Sequence, residues 1–431
     1  MGGRVSEHPG GALPTSDRPE PAPGRAAGAA PPARQGWSPW RAVVGFGVVS
    51  LAADMVYEGA RSITGPLLAS LGASALLVGL VTGAGEALAL VLRLPFGSRV
   101  DRSGGYWPAT IAGYALTAVC VPLLAVTPFL GAAGLAVGCL LVLAERTGKA
   151  VRSPAKSTLL AHAAGPVGLG RGFGVHKALD QVGAFAGPLL VAALVATTGT
   201  LWPALAVLAV PGAASIALLV WLRRRTGDPL REQARAAGPP ARTSLLRASR
   251  DLPRAFWLFA ASTALTTGGL VTFGVISYHL VKGDLVSTAA VPVVYAAAMA
   301  AAAVAALAVG WLHDRWGGRV LIVLPVMVAG VPALAFADTW TLAVLGVLLW
   351  GAATGLQDST VKALVAQLVP ASRRATGYGM FAAVQGVAAV AGGALAGALS
   401  ARSVPTLVVI VGVLQLAALV LLLRTLRPQL V

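Results

Sequence analysis

Twelve apolar stretches follow one another along this chain, at roughly 41–64, 74–97, 106–127, 130–153, 172–197, 200–222, 255–281, 289–312, 319–337, 340–368, 376–400 and 404–424. Each is close to the ~20 apolar residues that carry a helix across the hydrocarbon core of a bilayer. None alternates polar with apolar residues, so barrel strands are excluded. In lipid a lone segment satisfies its own backbone only as a helix. The expected fold is therefore an all-α membrane protein of 12 transmembrane helices. Composition agrees, because 56% of the 431 residues are hydrophobic and only 11% charged, against about 25% charged in soluble domains. A disordered chain, a disulfide-stapled secreted scaffold and a typical soluble enzyme are all excluded. Cys120 and Cys139 fall inside apolar spans and read as small buried hydrophobes. No metal, nucleophile or nucleotide constellation appears, so neither a cofactor nor an enzyme is expected.

Lys and Arg outnumber Asp and Glu by 33 to 16, a net charge of +17. The cations are spread between the apolar spans instead of forming a polar basic domain, which argues against nucleic acid as a partner. They also orient the chain, because loops rich in Lys and Arg stay in the cytoplasm. Arg41, Arg99, Arg102, Arg152, Lys156, Arg171, Arg223 to Arg225, Arg315, Arg319, Arg373, Arg374, Arg424 and Arg427 fall on one side, and only Lys282 and Arg402 on the other. This places both termini in the cytoplasm of a multi-pass plasma-membrane protein. Residues 1–36, rich in Pro and Gly, are expected to be a disordered cytoplasmic tail, without the apolar core of a cleaved signal peptide. A six-helix half over 37–222, a cytoplasmic linker over 223–254 and a second six-helix half over 255–431 complete the expected organisation.

The halves repeat one another. Gly97-Ser-Arg-Val-Asp101-Arg102-Ser-Gly104-Gly105 returns as Gly310-Trp-Leu-His-Asp314-Arg315-Trp-Gly317-Gly318, followed by Arg319. Both read G-x-x-x-D-R-x-G-G, and 310 minus 97 gives an offset of 213. Ser153 to Lys156, Gly172, Gly174 and Gly187 return as Ser359 to Lys362, Gly377, Gly379 and Gly392, at offsets of 206 slipping to 205. Internal duplication is the simplest account, and repeated halves about a midplane site are a transporter architecture.

The doubled loop motif in a six-plus-six helix chain resembles the major facilitator superfamily, over residues 41 to 424. The resemblance implies a 12-helix secondary transporter working by alternating access on a small-molecule substrate. It also implies that Gly97, Asp101, Arg102 and Gly104, with Gly310, Asp314, Arg315, Gly317 and Arg319, lock the cytoplasmic side when the protein opens outward. Tyr106 stands where the second copy has Arg319. Gly183, Gly187 and Pro188 resemble the Gly-x-x-x-Gly-Pro element associated mainly with antiporters of that family. Independently of the family, glycines four apart make a smooth packing face and a proline can bend a helix.

Six carboxylates fall within apolar spans: Asp54, Glu58, Glu86, Glu145, Asp180 and Asp358. Such residues are functional candidates by default, because each costs about 2.5–3.5 kcal/mol at mid-membrane unless paired, hydrated or neutral. Five of the six lie in the first half. That asymmetry predicts charge coupling there, with the second half forming an apolar cavity wall. Asp54, Glu58 and Arg61 share a helix face. Glu86 lies about 16 Å along its helix from Gly97 and has no cation within a turn on its own span. Burial then favours its neutral form, as a proton carrier requires. Glu86, assisted by Asp54 and Glu58, is the expected proton-coupling set, and a close approach of Asp54 to Glu86 would raise the pKa of one of them. Attachment of Glu86 to Arg61 or Arg146 of a neighbouring helix is the alternative.

Glu145, Lys149 and Arg152 fall on one face, which suggests pairing within that helix. Asp180 has His176 and Lys177 within a turn, and Asp358 has Lys362. Arg61, Glu145, Arg146, Lys149, Asp180 and Asp358 form the expected substrate and charge network. The leading expectation is a proton-coupled exporter of a small or amphiphilic molecule, acting as a monomer in the lipid bilayer. Proton-coupled uptake of a small anionic or zwitterionic solute, held by Arg61, Arg146 or Lys149, and a non-transporting membrane sensor are the alternatives.

Overall fold

The computed structural model describes residues 2, 38–228, 230–231, 252–369 and 374–426, without the side chains of 310, 313, 314, 359, 360, 362, 363, 366, 367 and 374–376. Most of the expected tail and linker thus lies outside the described residues. Twelve helices among the described residues are long and apolar enough to cross a membrane. They are α1 (Pro39–Ser70), α2 (Ala75–Ser103), α3 (Tyr106–Phe129), α4 (Gly131–Val167), α5 (Leu169–Thr198), α6 (Trp202–Thr226), α7 (Arg254–Lys282), α8 (Val291–Val309), α9 (Gly317–Ala335), α10 (Trp340–Asp358), α11 (Gly377–Ser400) and α12 (Val404–Leu426). The α8 helix runs on to Trp316 and the α10 helix to Leu368.

Local chemistry sets several boundaries. The Ser38 hydroxyl caps the start of α1 by accepting from the Arg41 amide, with Pro39 at the first helical position, where its missing N–H costs nothing. The Ser74 hydroxyl caps α2 by accepting from Leu77. The two copies of the repeated motif stop their helices with the same device. Gly104 and Gly317, seven residues after Gly97 and Gly310, both adopt the left-handed backbone, at φ +63° and +59°. A side chain at either position would meet its own carbonyl, which is why glycine stands there.

The duplication extends to helix packing. In the first half α5 lies along α1, and a Cβ added at Gly183 or Gly187 would meet the backbone carbonyls of Leu51 and Met55. In the second half α11 lies along α7, and a Cβ at Gly392 would meet the carbonyl of Gly268. Where lipid removes the hydrophobic drive between helices, such close backbone approach is what holds them. The halves meet along matching seams, α2 on α11, α5 on α8, and α1 on the second part of α7. Gly79 and Gly393 face each other's carbonyls across the first of these.

One helix is broken. α7 is helical over Arg254–Gly269 and again over Phe273–Lys282, with extended backbone at Leu270 and Thr272 between. Gly268-Gly269 ends the first piece. The Trp350 indole N–H donates to the freed carbonyl of Val271 at 2.7 Å, and the hydroxyls of Thr272 and Thr82 hydrogen-bond across the seam at 2.8 Å. Irregular backbone at membrane depth persists only where protein satisfies it in this way.

Candidate functional site

The polar side chains of the first half form one connected chain through five helices. It begins on α1, where Asp54, Tyr57, Glu58 and Arg61 share a face. Arg61 Nη2 donates to Glu86 Oε1 of α2 at 2.9 Å, and its Nη1 lies 3.9 Å from Glu58. Arg146 of α4 lies 3.5 Å from the same Glu86 oxygen and 3.4 Å from Glu145. Glu145 accepts from the Thr117 hydroxyl of α3 at 3.3 Å, and that hydroxyl accepts from Arg152 at 2.7 Å. Arg152 lies 3.9 Å from Asp54, whose carboxyl meets that of Asp180 on α5. Asp180 in turn accepts from Ser50 at 2.8 Å and from Lys177 at 2.7 Å.

Tyr57 sits at the centre of this chain, almost fully buried. Its hydroxyl accepts from Arg146 and, at 2.8 Å, from the Lys149 ammonium. The Lys149 nitrogen and the Arg146 guanidinium also lie 4.1 and 4.6 Å from the centre of its ring, within range of cation–π attraction. Lys149 has no carboxylate at ion-pairing distance among the described residues. The Arg61 and Glu86 side chains keep 21% and 29% of their surface accessible, so the chain borders open space inside the bundle. The two halves are joined at its edge, where Tyr295 of α8 donates to Glu58.

These contacts correct several expectations. Glu86 is paired, by Arg61 and Arg146 from neighbouring helices, because partners across a helix interface are invisible to spacing along one span. Asp54 meets Asp180 and Arg152. Glu145 pairs with Arg146 and Thr117, while Lys149 is drawn away to Tyr57, so the Glu–Lys pairing within α4 does not form. Asp358 is exposed and outside these ion pairs, with Arg93 of α2 within electrostatic reach. Its expected partner Lys362 has its side chain outside the described residues.

The loop motifs make local contacts in this structure. Asp101 accepts from Tyr106 at 3.1 Å, Arg102 donates to the carbonyl of Ser98 in its own turn, and Arg315 lies over the Trp311 ring. Arg319 is exposed, Gly97 packs on Pro154, and the surroundings of Gly310 and the side chain of Asp314 lie outside what is described.

The second half is not purely an apolar wall. Gln357 Nε2 of α10 donates to the Thr267 hydroxyl of α7 at 3.0 Å, and that hydroxyl donates to Gln385 Oε1 of α11. Gln415 of α12 donates to the carbonyl of Leu265 at 3.1 Å. Phe273, Tyr295 and Trp350 pack together beside the α7 break, with ring centres 4.5 to 6.3 Å apart. Sequence reasoning missed Tyr57, Arg93, Thr117, Thr267, Tyr295, Gln357 and Gln385. Their signal is polarity inside apolar spans, which carboxylate positions alone do not reveal. For Tyr57 there was also its helical register with Asp54 and Arg61.

The family model described as Major Facilitator Superfamily matches residues 46–337 and 286–430. The uncharacterised proteins Rv2265 of Mycobacterium tuberculosis and Mb2288 of Mycobacterium bovis are each 53% identical over 401 residues, 92% of this chain and 95% of theirs. Among solved structures, a mutant of the nucleoside transporter NupG matches with a TM-score of 0.70 at 13% identity, over 89% of this chain and 99% of its own. A POT family transporter in complex with 5-aminolevulinic acid matches at 0.67 and 12%, over 90% and 96%. A bacterial homologue of the human lysosomal transporter Spinster, inward-facing and unoccupied, matches at 0.62 and 15%, over 92% and 96%. At these identities the structures share the fold.

Proposed function

This chain belongs to the major facilitator superfamily of membrane transporters, and from that premise we propose that it couples proton movement to the movement of a small anionic or zwitterionic solute. The observation that carries this reading is Glu86 held between Arg61 and Arg146. With Glu86 ionised, its charge is spent on two guanidiniums. A proton on Glu86 removes that charge and leaves Arg61 and Arg146 free to take an anion. Proton and anion then bind together, which is the logic of co-transport. Each ligand stabilises only the state that the other also favours. Asp54 and Glu58 assist from α1, one through Asp180 and the other through Tyr295. The Arg-rich loops support an orientation with the termini in the cytoplasm.

A second reading is export by proton antiport. Gly183 and Gly187 favour it, because their close packing on α1 matches the element expected of antiporters. In that case a cationic cargo takes the place of the proton on Glu86. The two readings differ in the sign of one signal. Proteoliposomes loaded with pyranine are given an inward gradient of a carboxylate for the first reading and of an organic cation for the second, each drawn from a melting-shift screen. Co-transport acidifies the lumen and antiport makes it alkaline. Glu86→Gln should abolish the signal in either case. Wild-type proton movement in Glu86→Gln overturns the assignment and moves the proton path to Asp54 and Asp180.

A further inference from the structure

The Thr267, Gln357 and Gln385 cluster has hydrogen-bonding capacity that the protein does not use. Gln385 is 4% exposed, yet among the described residues its amide nitrogen has no partner, and neither has the amide oxygen of Gln357. Thr267 links the two amides. A hydroxyl donates once, so one glutamine spends its oxygen on Thr267 and the other its nitrogen. Reversing the direction of this relay exchanges the glutamines' roles and nothing else. In both arrangements one amide donor and one carbonyl acceptor remain unspent. Leaving such groups unpaired is costly at this depth.

The cluster lies toward the other half. The face of α11 next to Gln385 packs on α2, where a Cβ at Gly386 would meet Val91. Thr267 and Gln357 are half-buried, while the two unspent atoms themselves are covered in this conformation. On the first-half side, Lys149 offers a cation without a carboxylate at ion-pairing distance among the described residues.

We infer that Gln357 and Gln385 form a neutral recognition subsite for a primary carboxamide or an equivalent donor–acceptor edge, on a cargo whose anionic group is held by Lys149 and the Arg61–Arg146 pair. The cargo's carbonyl accepts from the free amide nitrogen and its N–H donates to the free amide oxygen. The inference rests on the reading above that a small solute carrying an anionic group occupies the space between the halves. A site built to make hydrogen bonds rejects an analogue that cannot make them, because its own polar groups are then left stranded.

The test uses the purified full-length protein and thermal melting shifts. The probes are succinamate, glutaramate and adipamate, each against its monomethyl ester, which keeps the carboxylate and a carbonyl but lacks the N–H donor. The best amide should bind about tenfold tighter than its ester. Gln385→Leu and Gln357→Leu should each collapse that ratio to near one while the weaker ester shift persists. Gln385→Glu and Gln357→Glu, closer in shape, serve if a leucine variant does not fold. Gln415→Leu, on the α12 side of α7, should leave the ratio unchanged.

Equal shifts by amide and ester in the wild type overturn the inference. So does an unchanged ratio in folded Gln385 and Gln357 variants, and so does the absence of any shift across the series. The transport reading fails separately, by loss of the pyranine signal while amide-selective binding persists.

Discussion

The two halves share a backbone plan and carry opposite chemistry. The first holds every ion pair found among the described residues, strung from Glu58 through Glu86 and Glu145 to Asp180. At the corresponding depth the second has hydroxyls, amides and aromatic rings. Yet Gly104 and Gly317 make the same left-handed turn, and Gly187 and Gly392 pack on the backbone of the same partner helix in each half. Duplication has therefore kept the features that backbone geometry enforces. A positive φ or a carbonyl in van der Waals contact admits little but glycine. The polar contents were free to diverge, because any set that satisfies its own hydrogen bonds and charges can sit inside the bundle.

The largest effect should come from breaking the ionic half. Arg146→Ala removes the partner shared by Glu86, Glu145 and Tyr57 and leaves buried carboxylates exposed to one another. A loss of about 3–5 kcal/mol is expected, read as a large fall in melting temperature in detergent. Adding Glu86→Gln should recover part of it. A double variant whose loss equals the sum of the two single losses would mean that the two residues act independently.

The link between the halves comes next. Tyr295→Phe deletes the hydrogen bond to Glu58 and should cost roughly 1.5–3 kcal/mol, the range for bonds to charged groups. A silent Tyr295→Phe variant would show that the ionic chain ends within the first half. The shared frame is tested by comparing Gly187→Val with Gly392→Val. Each forces a side chain against a neighbouring carbonyl, and overpacking of about 1–3 kcal/mol is expected in both. Markedly unequal melting shifts would break the equivalence of the two packings.

The smallest effect belongs to the neutral half. Ser262 donates to the carbonyl of Ala418 at 2.7 Å, fully buried. Ser262→Ala should cost about 1 kcal/mol, well below the Tyr295 variant. A cost as large as that of Arg146→Ala would contradict the view that the second half is held by apolar packing and isolated neutral bonds.

The sequence by itself determined the helix count, the near-boundaries, the duplication and the residue types that carry charge. These are one-dimensional properties. A bilayer fixes span length, backbone satisfaction demands a helix, and a tight turn needs its glycine wherever the rest of the chain goes. The family was legible too, because its motif recurs at an offset that only a repeat explains. Only the tertiary structure decided who pairs with whom. Glu86 has no cation on its own face and two from other helices. Lys149 faces Glu145 by register, yet is taken by Tyr57. Gln357 and Gln385, 28 residues apart, become one hydrogen-bonded cluster through a threonine on a third helix. Pairing energy depends on distances of a few ångströms between helices, and helical spacing within one span carries no information about its neighbours.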